Sequence, residues 1–308
     1  MQRLPIPLRP SRLAALCLVC SALPLSSPLL AAPSPCQPPP PAAQLLLSGL
    51  AAEKTGLPGG FDAALRLQRS LIAWQSAAPQ RGIALGYGHE YSIMDLQTPQ
   101  DLPEQRRGNG HFHQLFLPVD LSAVLPEGWS LRLQPALAVT SNQLRHPDEL
   151  ETRDWQLSAA LLRSWDSGQG DRWEIGLCGD SRFGEPRLYP SVAWTRETAT
   201  WSLRLGLPDS AFSRRVGANL DAGLRLFPDG NRWRVHADDA APSWHEHEGW
   251  RAELLLGWEP LRQWRLEAGL GTWLDNRHRF ELLGGQRVES DGGASAYARL
   301  ALVWRPRG

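Results

Sequence analysis

The chain has 308 residues with 32 basic and 32 acidic side chains, so its formal net charge is +0. This balance lacks the basic excess on which nucleic-acid binding depends. The mean hydropathy is -0.33, and no apolar run beyond the first residues is long enough for a membrane-spanning helix. A helical membrane protein is therefore excluded.

The first 32 residues have the features of a secretory signal. Three arginines come first, and the apolar stretch 13–23 that follows them is too short to span a bilayer. The small residues Ala31 and Ala32 offer a cleavage position. We therefore expect residues 1–32 to be removed on export.

Residues 33–80 are predicted to form a Pro-rich linker with a short helix. Prolines dominate 33–41, and the stretches 42–53 and 61–74 have helical character. A plug, a periplasmic helix, a poorly ordered leader and a first strand at 70–75 remain alternatives.

Two cysteines, Cys36 and Cys178, remain after signal removal. A bond between them is compatible with an oxidising compartment, but the sequence leaves the pairing open.

From residue 82 onward the hydrophobic pattern has a period of two. In Trp129–Thr140 apolar residues and Pro135 alternate with polar or small ones, and the stretches 249–258 and 264–272 repeat this pattern. Such alternation is typical of strands with one apolar and one polar face. The sequence therefore predicts an all-β fold.

The tryptophan positions favour a membrane barrel over a soluble β-protein. In a soluble sandwich the apolar face fills a core, whereas in a membrane barrel it meets lipid. Trp250 and Trp258 share a face, and on a tilted strand their separation is about 20 Å along the membrane normal. Trp155 and Trp165 bracket another strand, as interfacial girdles require. We therefore predict a transmembrane antiparallel up-and-down β-barrel.

Connections of two lengths alternate along the chain. The long polar ones are 96–110, 143–153, 181–187 and 237–248. The short ones are 126–128, 166–171, 196–199, 228–231 and 259–263. Long loops at one end and short turns at the other are typical of outer-membrane barrels.

We predict about 12 strands in a barrel domain of residues 81–308, with 10 and 14 as alternatives. The pattern gives thirteen segments, and because bacterial single-chain barrels have even strand numbers, one boundary must be wrong. The segments are 82–95, 111–125, 129–142, 154–165, 172–180, 188–195, 200–207, 213–227, 232–237, 248–258, 263–273, 278–284 and 295–304.

Several motifs in this region carry a family resemblance. They are Tyr189-Pro190, GLPDS at 206–210, PDGNRWRV at 228–235, Gly249-Trp250 and YARLALVW at 297–304. Because of these motifs, residues 82–304 resemble a family of uncharacterised Gram-negative outer-membrane β-barrel proteins. The resemblance implies the fold and a location in the cell outer membrane, and it supplies no catalytic residues.

The end of the chain departs from the usual pattern of such barrels, in which the last residue is aromatic. Here Trp304 is followed by four further residues. We expect the barrel-assembly machinery to recognise an internal Tyr297…Trp304 pattern instead. The other expected partners are outer-membrane lipid and lipopolysaccharide, and no nucleic acid is expected.

Charged side chains occupy the polar faces in mid-strand. These pore-lining candidates are Arg132, Arg251, Glu253, Arg265, Glu267 and Arg299. They either form ion-pair ladders that fill a narrow barrel or line a charged pore.

Two His-x-His pairs are weak candidates for metal ligands. His111 and His113 share one strand face, as do His245 and His247 if that stretch is extended. Imidazoles at such positions can bind Zn²⁺ or Cu²⁺, but no fixed spacing links the pairs. Ordinary polar or loop histidines explain them as well, so we predict no metal or other cofactor.

The favoured function is a non-enzymatic outer-membrane barrel, either a small-solute channel or an envelope structural component. An outer-membrane lipid hydrolase is one alternative. It would need a Ser–His pair assembled in space, and Ser210 and Ser213 have no histidine close in sequence. A soluble periplasmic β-protein that binds an apolar ligand is the other.

Overall fold

The computed structural model describes residues 34–37, 43–53, 55–57, 63–76, 83–97, 109–168, 170–237, 240–281 and 287–306. The predicted signal peptide, residues 1–32, lies outside these ranges. Within them, no helix is long and apolar enough to cross a bilayer.

Fourteen antiparallel strands form one closed barrel. Four of the strands consist of two segments separated by a short break. The strands are β1 (Gln44–Ala52 and Thr55–Leu57), β2 (Ala63–Gln75), β3 (Ala84–Gln97), β4 (Asn109–Phe116 and Val119–Asp120), β5 (Trp129–Thr140), β6 (Trp155–Gly168), β7 (Asp171–Asp180), β8 (Arg187–Glu197), β9 (Trp201–Leu207), β10 (Ser210–Arg215), β11 (Leu220–Pro228 and Asn231–Ala237), β12 (Ala240–Leu261), β13 (Trp264–Glu281) and β14 (Arg287–Asp291 and Ser295–Trp304).

Helical structure is confined to the connections among the described residues. One short α-helix, α1 (Ser141–Arg145), follows β5. Single 3₁₀ turns lie at Ser122–Val124, Pro147–Glu149 and Thr152–Asp154.

The barrel closes between its first and last strands. Leu45 pairs with Trp304, and the register continues to Ala52 opposite Tyr297. On its other side β1 pairs with β2. A sheet that spans a bilayer must be closed because an open edge would leave backbone groups without partners in lipid.

The helices predicted before residue 80 are wrong, because these stretches are β1 and β2. Leu46 and Leu71 are buried inside the barrel, whereas their sequence neighbours Leu47 and Ile72 are exposed outside it. Both faces of these strands carry apolar residues, which hides the period of two that would have marked them as strands.

The predicted domain boundaries change accordingly. The barrel begins at Gln44 and not at residue 81, so most of the predicted linker 33–80 belongs to the wall. The alternative of a first strand at 70–75 lies within β2.

The predicted count of about 12 strands is too low, and the alternative of 14 strands is correct. Besides the two missed strands, segment 213–227 contains a turn that separates β10 from β11. Two predicted segments are not separate strands. Segment 232–237 continues β11, and segment 278–284 overlaps the end of β13.

Among the described residues, the connections follow the predicted alternation with two exceptions, and most of the predicted connection 96–110 lies outside those residues. The stretch 237–248 is mostly strand and extends β11 and β12. The stretch 228–231 is a break within β11, since Pro228 and Asn231 both pair with β12. We refer to the two rims as the long-loop end and the short-turn end.

The two faces of the wall differ in chemistry, as the sequence predicts. Leu254 and Leu300 point outward and are 64% and 70% exposed. Arg132 and Arg251 point inward and are 8% and 4% exposed. The apolar outer face suits lipid and the polar inner face suits a lumen, which defines a transmembrane β-barrel.

Candidate functional site: the lumen

Four of the predicted inward charges form one ion-pair network near the short-turn end. Arg265 Nε donates to Glu267 Oε1 at 2.8 Å. Arg299 donates to Glu267 at 3.1 Å through Nη2 and to Glu253 at 2.8 Å through Nε. Each buried charge thus has an opposite partner, as a low-dielectric interior requires. We refer to these four residues as the lower network.

Arg132 holds part of the N-terminal segment inside the barrel. Its Nη1 donates to the backbone carbonyl oxygen of Pro35 at 3.0 Å and to that of Gln37. Ser34 Oγ donates to Asp180 at 3.2 Å. We refer to residues 34–37 as the plug segment, because they occupy the lumen.

A disulfide bond fixes the plug segment to the wall. Cys36 is bonded to Cys178 of β7, with 5.8 Å between the Cα atoms. Both cysteines are fully buried. The pairing that the sequence left open is therefore present, and the predicted extended linker includes a turn inside the lumen.

The anchor on β7 has further polar support. Asp180 accepts hydrogen bonds from Arg182 Nε at 2.8 Å and from the Tyr189 hydroxyl at 2.9 Å. The wall beside the disulfide is therefore held by a hydrogen-bonded group from β7, its following loop and β8.

The break in β11 brings Asp229 into the lumen, where it joins distant strands. Arg69 Nη1 of β2 donates to both of its carboxylate oxygens, at 2.8 and 3.1 Å. Trp273 Nε1 of β13 donates to it at 3.2 Å, and Arg251 Nη1 of β12 lies 3.6 Å away. Glu90 of β3 pairs with Arg69 at 3.3 Å. We refer to these five residues as the central network.

The central network crosses the lumen. Along the wall, β2 and β11 are separated by β1, β14, β13 and β12. A second contact of this kind joins Asn231 of β11 to Gln114 of β4 at 2.9 Å. These bonds connect opposite sides of the barrel and fill the space between them.

His245 and His247 lie inside the barrel toward the long-loop end. Their side chains are 1% exposed and stack with that of His278 on β13. His247 Nε2 donates to Asn276 Oδ1 at 2.8 Å. Trp233 stacks on His245. We refer to these five residues as the upper aromatic tier.

His111 and His113 belong to the other face. Their neighbour Phe112 is buried in the lumen, so both histidines point out of the barrel. Within the part of the chain that the structure describes, no group of three His, Cys, Asp or Glu side chains is arranged to hold a metal ion. The prediction of no metal site, with these two pairs as weak candidates, stays a prediction.

A small cavity remains between the plug segment and the central network. Its volume is about 50 Å³, and Gln37, Glu90, Arg182 and Asp229 contribute to its lining. Such a polar cavity holds a few water molecules and no larger solute. Among the described residues, this is the space left between the plug segment and the central network.

Two arginines and an aspartate that sequence reasoning missed are central to the lumen: Arg69, Arg182 and Asp229. Arg69 lay in a stretch predicted to be helical, Arg182 in a predicted loop and Asp229 in a predicted turn. The alternating pattern gave no signal for them, since the last two lie outside regular strands.

Three of the solved structures that this barrel resembles are a channel, a porin and the translocator domain of an autotransporter. An outer-membrane channel from Pseudomonas putida F1 superimposes with a TM-score of 0.42 at 10% identity, covering 89% of this chain and 100% of that one. The NanC porin gives 0.37 at 6% identity, covering 85% and 100%. The translocator domain of the autotransporter NalP from Neisseria meningitidis gives 0.35 at 11% identity, covering 86% and 88%. No protein-family model and no curated protein matches the sequence.

Proposed function

We propose that this protein resides in the cell outer membrane and acts as a small-solute channel that its own plug segment closes. The solute pathway runs through the lumen and requires no catalytic step. The long-loop end faces the cell exterior, and the short-turn end faces the periplasm.

The charge of the lumenal face carries this proposal. In a barrel with a purely mechanical role, apolar side chains would fill the lumen at least as stably as buried ion pairs do. The lower and central networks instead place arginine and carboxylate groups along the axis. Once the plug segment moves, these groups offer a polar path to ions and small polar solutes.

The attachment of the plug segment supports its role as a closure. It is held by one disulfide, Cys36–Cys178, and by hydrogen bonds to Arg132 and Asp180. No strand pairing is described for residues 34–37. Displacing the segment would therefore leave the fourteen-stranded wall intact.

The last strand suggests how the assembly machinery recognises the chain. Trp304 pairs with Leu45 across the seam and with Trp264 on the other side of β14, and Leu300 is exposed on the outer face. Tyr297 is buried inside, so the predicted Tyr297…Trp304 pattern does not lie on one face. We infer that an outward Leu300…Trp304 stripe is the assembly signal. Outer-membrane lipid and lipopolysaccharide are the proposed neighbours of the outer face.

Conductance in a planar bilayer tests the channel. The wild-type protein is expected to be mostly closed, whereas the C36S/C178S and R132M variants should show open events, because each loosens the plug segment. Wild-type protein refolded with reductant present should also show open events, whereas the C36S/C178S variant should behave the same with and without reductant.

The outcomes separate the alternative functions. Folded variants that stay silent would overturn the channel and favour an envelope structural component. Release of the protein by osmotic shock without detergent would overturn the membrane location and favour a soluble periplasmic β-protein.

A further inference from the structure

A polar cluster lies on the lipid-facing side of the wall, where leucine and tryptophan otherwise predominate. His89 and Tyr91 belong to β3, and His111 and His113 belong to β4. The alternating neighbours Gly88, Glu90 and Ser92 on β3 and Phe112 on β4 are buried inside. The cluster therefore points outward, and its side chains are only partly buried.

Two residues of the cluster, His89 and His113, form a hydrogen-bonded chain with Ser141. Ser141, the first residue of α1, has its Oγ 2.8 Å from His113 Nε2. His113 Nδ1 lies 3.0 Å from His89 Nε2. One proton arrangement satisfies both contacts: Ser141 Oγ–H donates to His113 Nε2, and His113 Nδ1–H donates to His89 Nε2. Tyr91 and His111 flank the chain and bond each other at 2.5 Å.

This geometry is that of an activated nucleophile. A hydroxyl in contact with an imidazole can transfer its proton as it attacks, and a third group holds the imidazole in the required tautomer. Here the third group is His89, a neutral histidine that accepts a hydrogen bond from His113 Nδ1–H. Ser141 and His113 are both half-buried and so remain reachable from outside.

The position of these three hydrogen-bonded side chains relative to the membrane indicates the substrate. His113 pairs in register with Val139 of β5, and Leu137, two residues closer to the short-turn end, pairs with Trp155 of β6. Trp155 is 57% exposed on the outer face and marks the interface at the long-loop end. Ser141 follows β5 directly and lies four residues farther toward the long-loop end than Leu137. The ester bonds of bilayer lipids lie in the same zone between acyl chains and head groups.

We propose that Ser141, His113 and His89 form an acyl-ester hydrolase site for lipids of the surrounding leaflet. Ser141 is the nucleophile, His113 is the general base and then acid, and His89 is a positioning residue. The site faces away from the lumen, so its activity does not depend on whether the lumen conducts solutes.

The reaction has two balanced halves. Ser141 Oγ attacks the ester carbonyl carbon while its proton passes to His113 Nε2. The carbon–oxygen bond to the lipid alcohol then breaks, and that alcohol leaves with the proton, which gives an acyl-serine. Water next attacks the acyl carbon and gives a proton to His113. The fatty acid leaves as the proton returns to Ser141 Oγ.

The test uses the mature chain folded in mixed micelles of detergent and phosphatidylethanolamine. Release of fatty acid from the phospholipid and hydrolysis of p-nitrophenyl palmitate are the two activity readouts. A fluorophosphonate probe, which bonds to an activated serine oxygen with loss of fluoride, is mapped by mass spectrometry. Each variant is first checked for heat-modifiable gel mobility, which reports a folded barrel.

The wild type is expected to release fatty acid and to carry the probe on Ser141. The S141A and H113N variants should lose about 100-fold or more in rate. Ser70 provides the matched control, because it is exposed on the outer face of β2, in register with Tyr91. The S70A variant should keep the wild-type rate and the label.

His89 requires a readout that a merely structural role would not move. The H89A variant should lower kcat at least about tenfold while KM stays the same, since His89 acts through His113 and not on the ester group itself. The H89D variant should restore much of kcat, because its carboxylate also accepts from His113 Nδ1–H. If folded H89A is slow and H89D does not recover, the role of His89 is wrong.

Two results would overturn the whole proposal. One is a folded wild type that neither releases fatty acid nor reacts with the probe at Ser141. The other is a folded S141A variant that keeps the wild-type rate. Neither result would affect conductance through the lumen, so the two proposals can fail separately.

Discussion

The lower and central networks both pair buried charges, but they are built in different ways. The lower network lies on β12, β13 and β14, which are hydrogen-bonded neighbours in the wall. The central network joins β2 and β3 to β11 across the lumen through Asp229. The difference shows that alternation along adjacent strands suffices for the first network, whereas the second exists only after the barrel has closed.

The largest expected effect on stability is at Asp229. The D229A variant leaves Arg69 and Arg251 buried without this shared partner, which should cost about 3–5 kcal/mol of the free energy of unfolding. Urea titration of the protein in micelles measures this loss. Asp166, exposed on β6, is the matched control, and D166A should have little effect. Equal stability of the two variants would show that the central network does not hold the barrel together.

Removing one carboxylate charge from the lower network should lower the free energy of unfolding by less than D229A does. The E267Q variant keeps the shape of the side chain, and Arg265 retains Asp221 while Arg299 retains Glu253. We therefore expect a loss of about 2 kcal/mol in the free energy of unfolding by urea titration. The exposed Glu127 supplies the control variant E127Q. A loss as large as that of D229A would contradict the distinction between the two networks.

A substitution in the upper aromatic tier should lower the free energy of unfolding by less than E267Q does. The H247A variant removes the donor to Asn276 and one stacked ring, which should cost about 1–2 kcal/mol. H146A is the control, because His146 is exposed in the loop after α1. If H247A and H146A unfold at the same urea concentration, the hydrogen bond to Asn276 contributes nothing measurable.

The smallest effect is expected at the rim. Arg153, whose side chain is 72% exposed, lies 3.7 Å from Glu151. Solvent screens such pairs, so R153A should change the free energy of unfolding by less than about 0.5 kcal/mol. Arg234 is buried and binds the same Glu151 at 2.8 Å, so R234A should be the more damaging variant. The reverse order in urea titration would contradict this expectation.

The class of fold and the orientation of the wall could be predicted from the sequence. The alternation in Trp129–Thr140 and in 249–258 depends only on residues two positions apart. It can therefore be recognised in each strand without knowing the rest of the structure. For the same reason the alternation places on one face six charged residues that the structure buries, and their role as a pore lining remains a proposal: Arg132, Arg251, Glu253, Arg265, Glu267 and Arg299.

The remaining features depend on contacts between distant parts of the chain. The plug segment is held by Arg132 and Cys178, each far from it in sequence. The inward position of Asp229 requires a break in β11, and its PDGN motif is typical of an ordinary turn. Ser141 and His113 meet only because β4 and β5 are paired at the long-loop end. A single sequence carries no local signal for such pairings.

The bond between Cys36 and Cys178 constrains the order of biogenesis. Both sulfur atoms are enclosed by the finished wall, where an oxidising enzyme cannot reach them. The plug segment also directly precedes β1, one side of the seam. We infer that oxidation happens on a nascent, still unsealed sheet, and that the covalent tether then carries the amino-terminal strand toward its final neighbour.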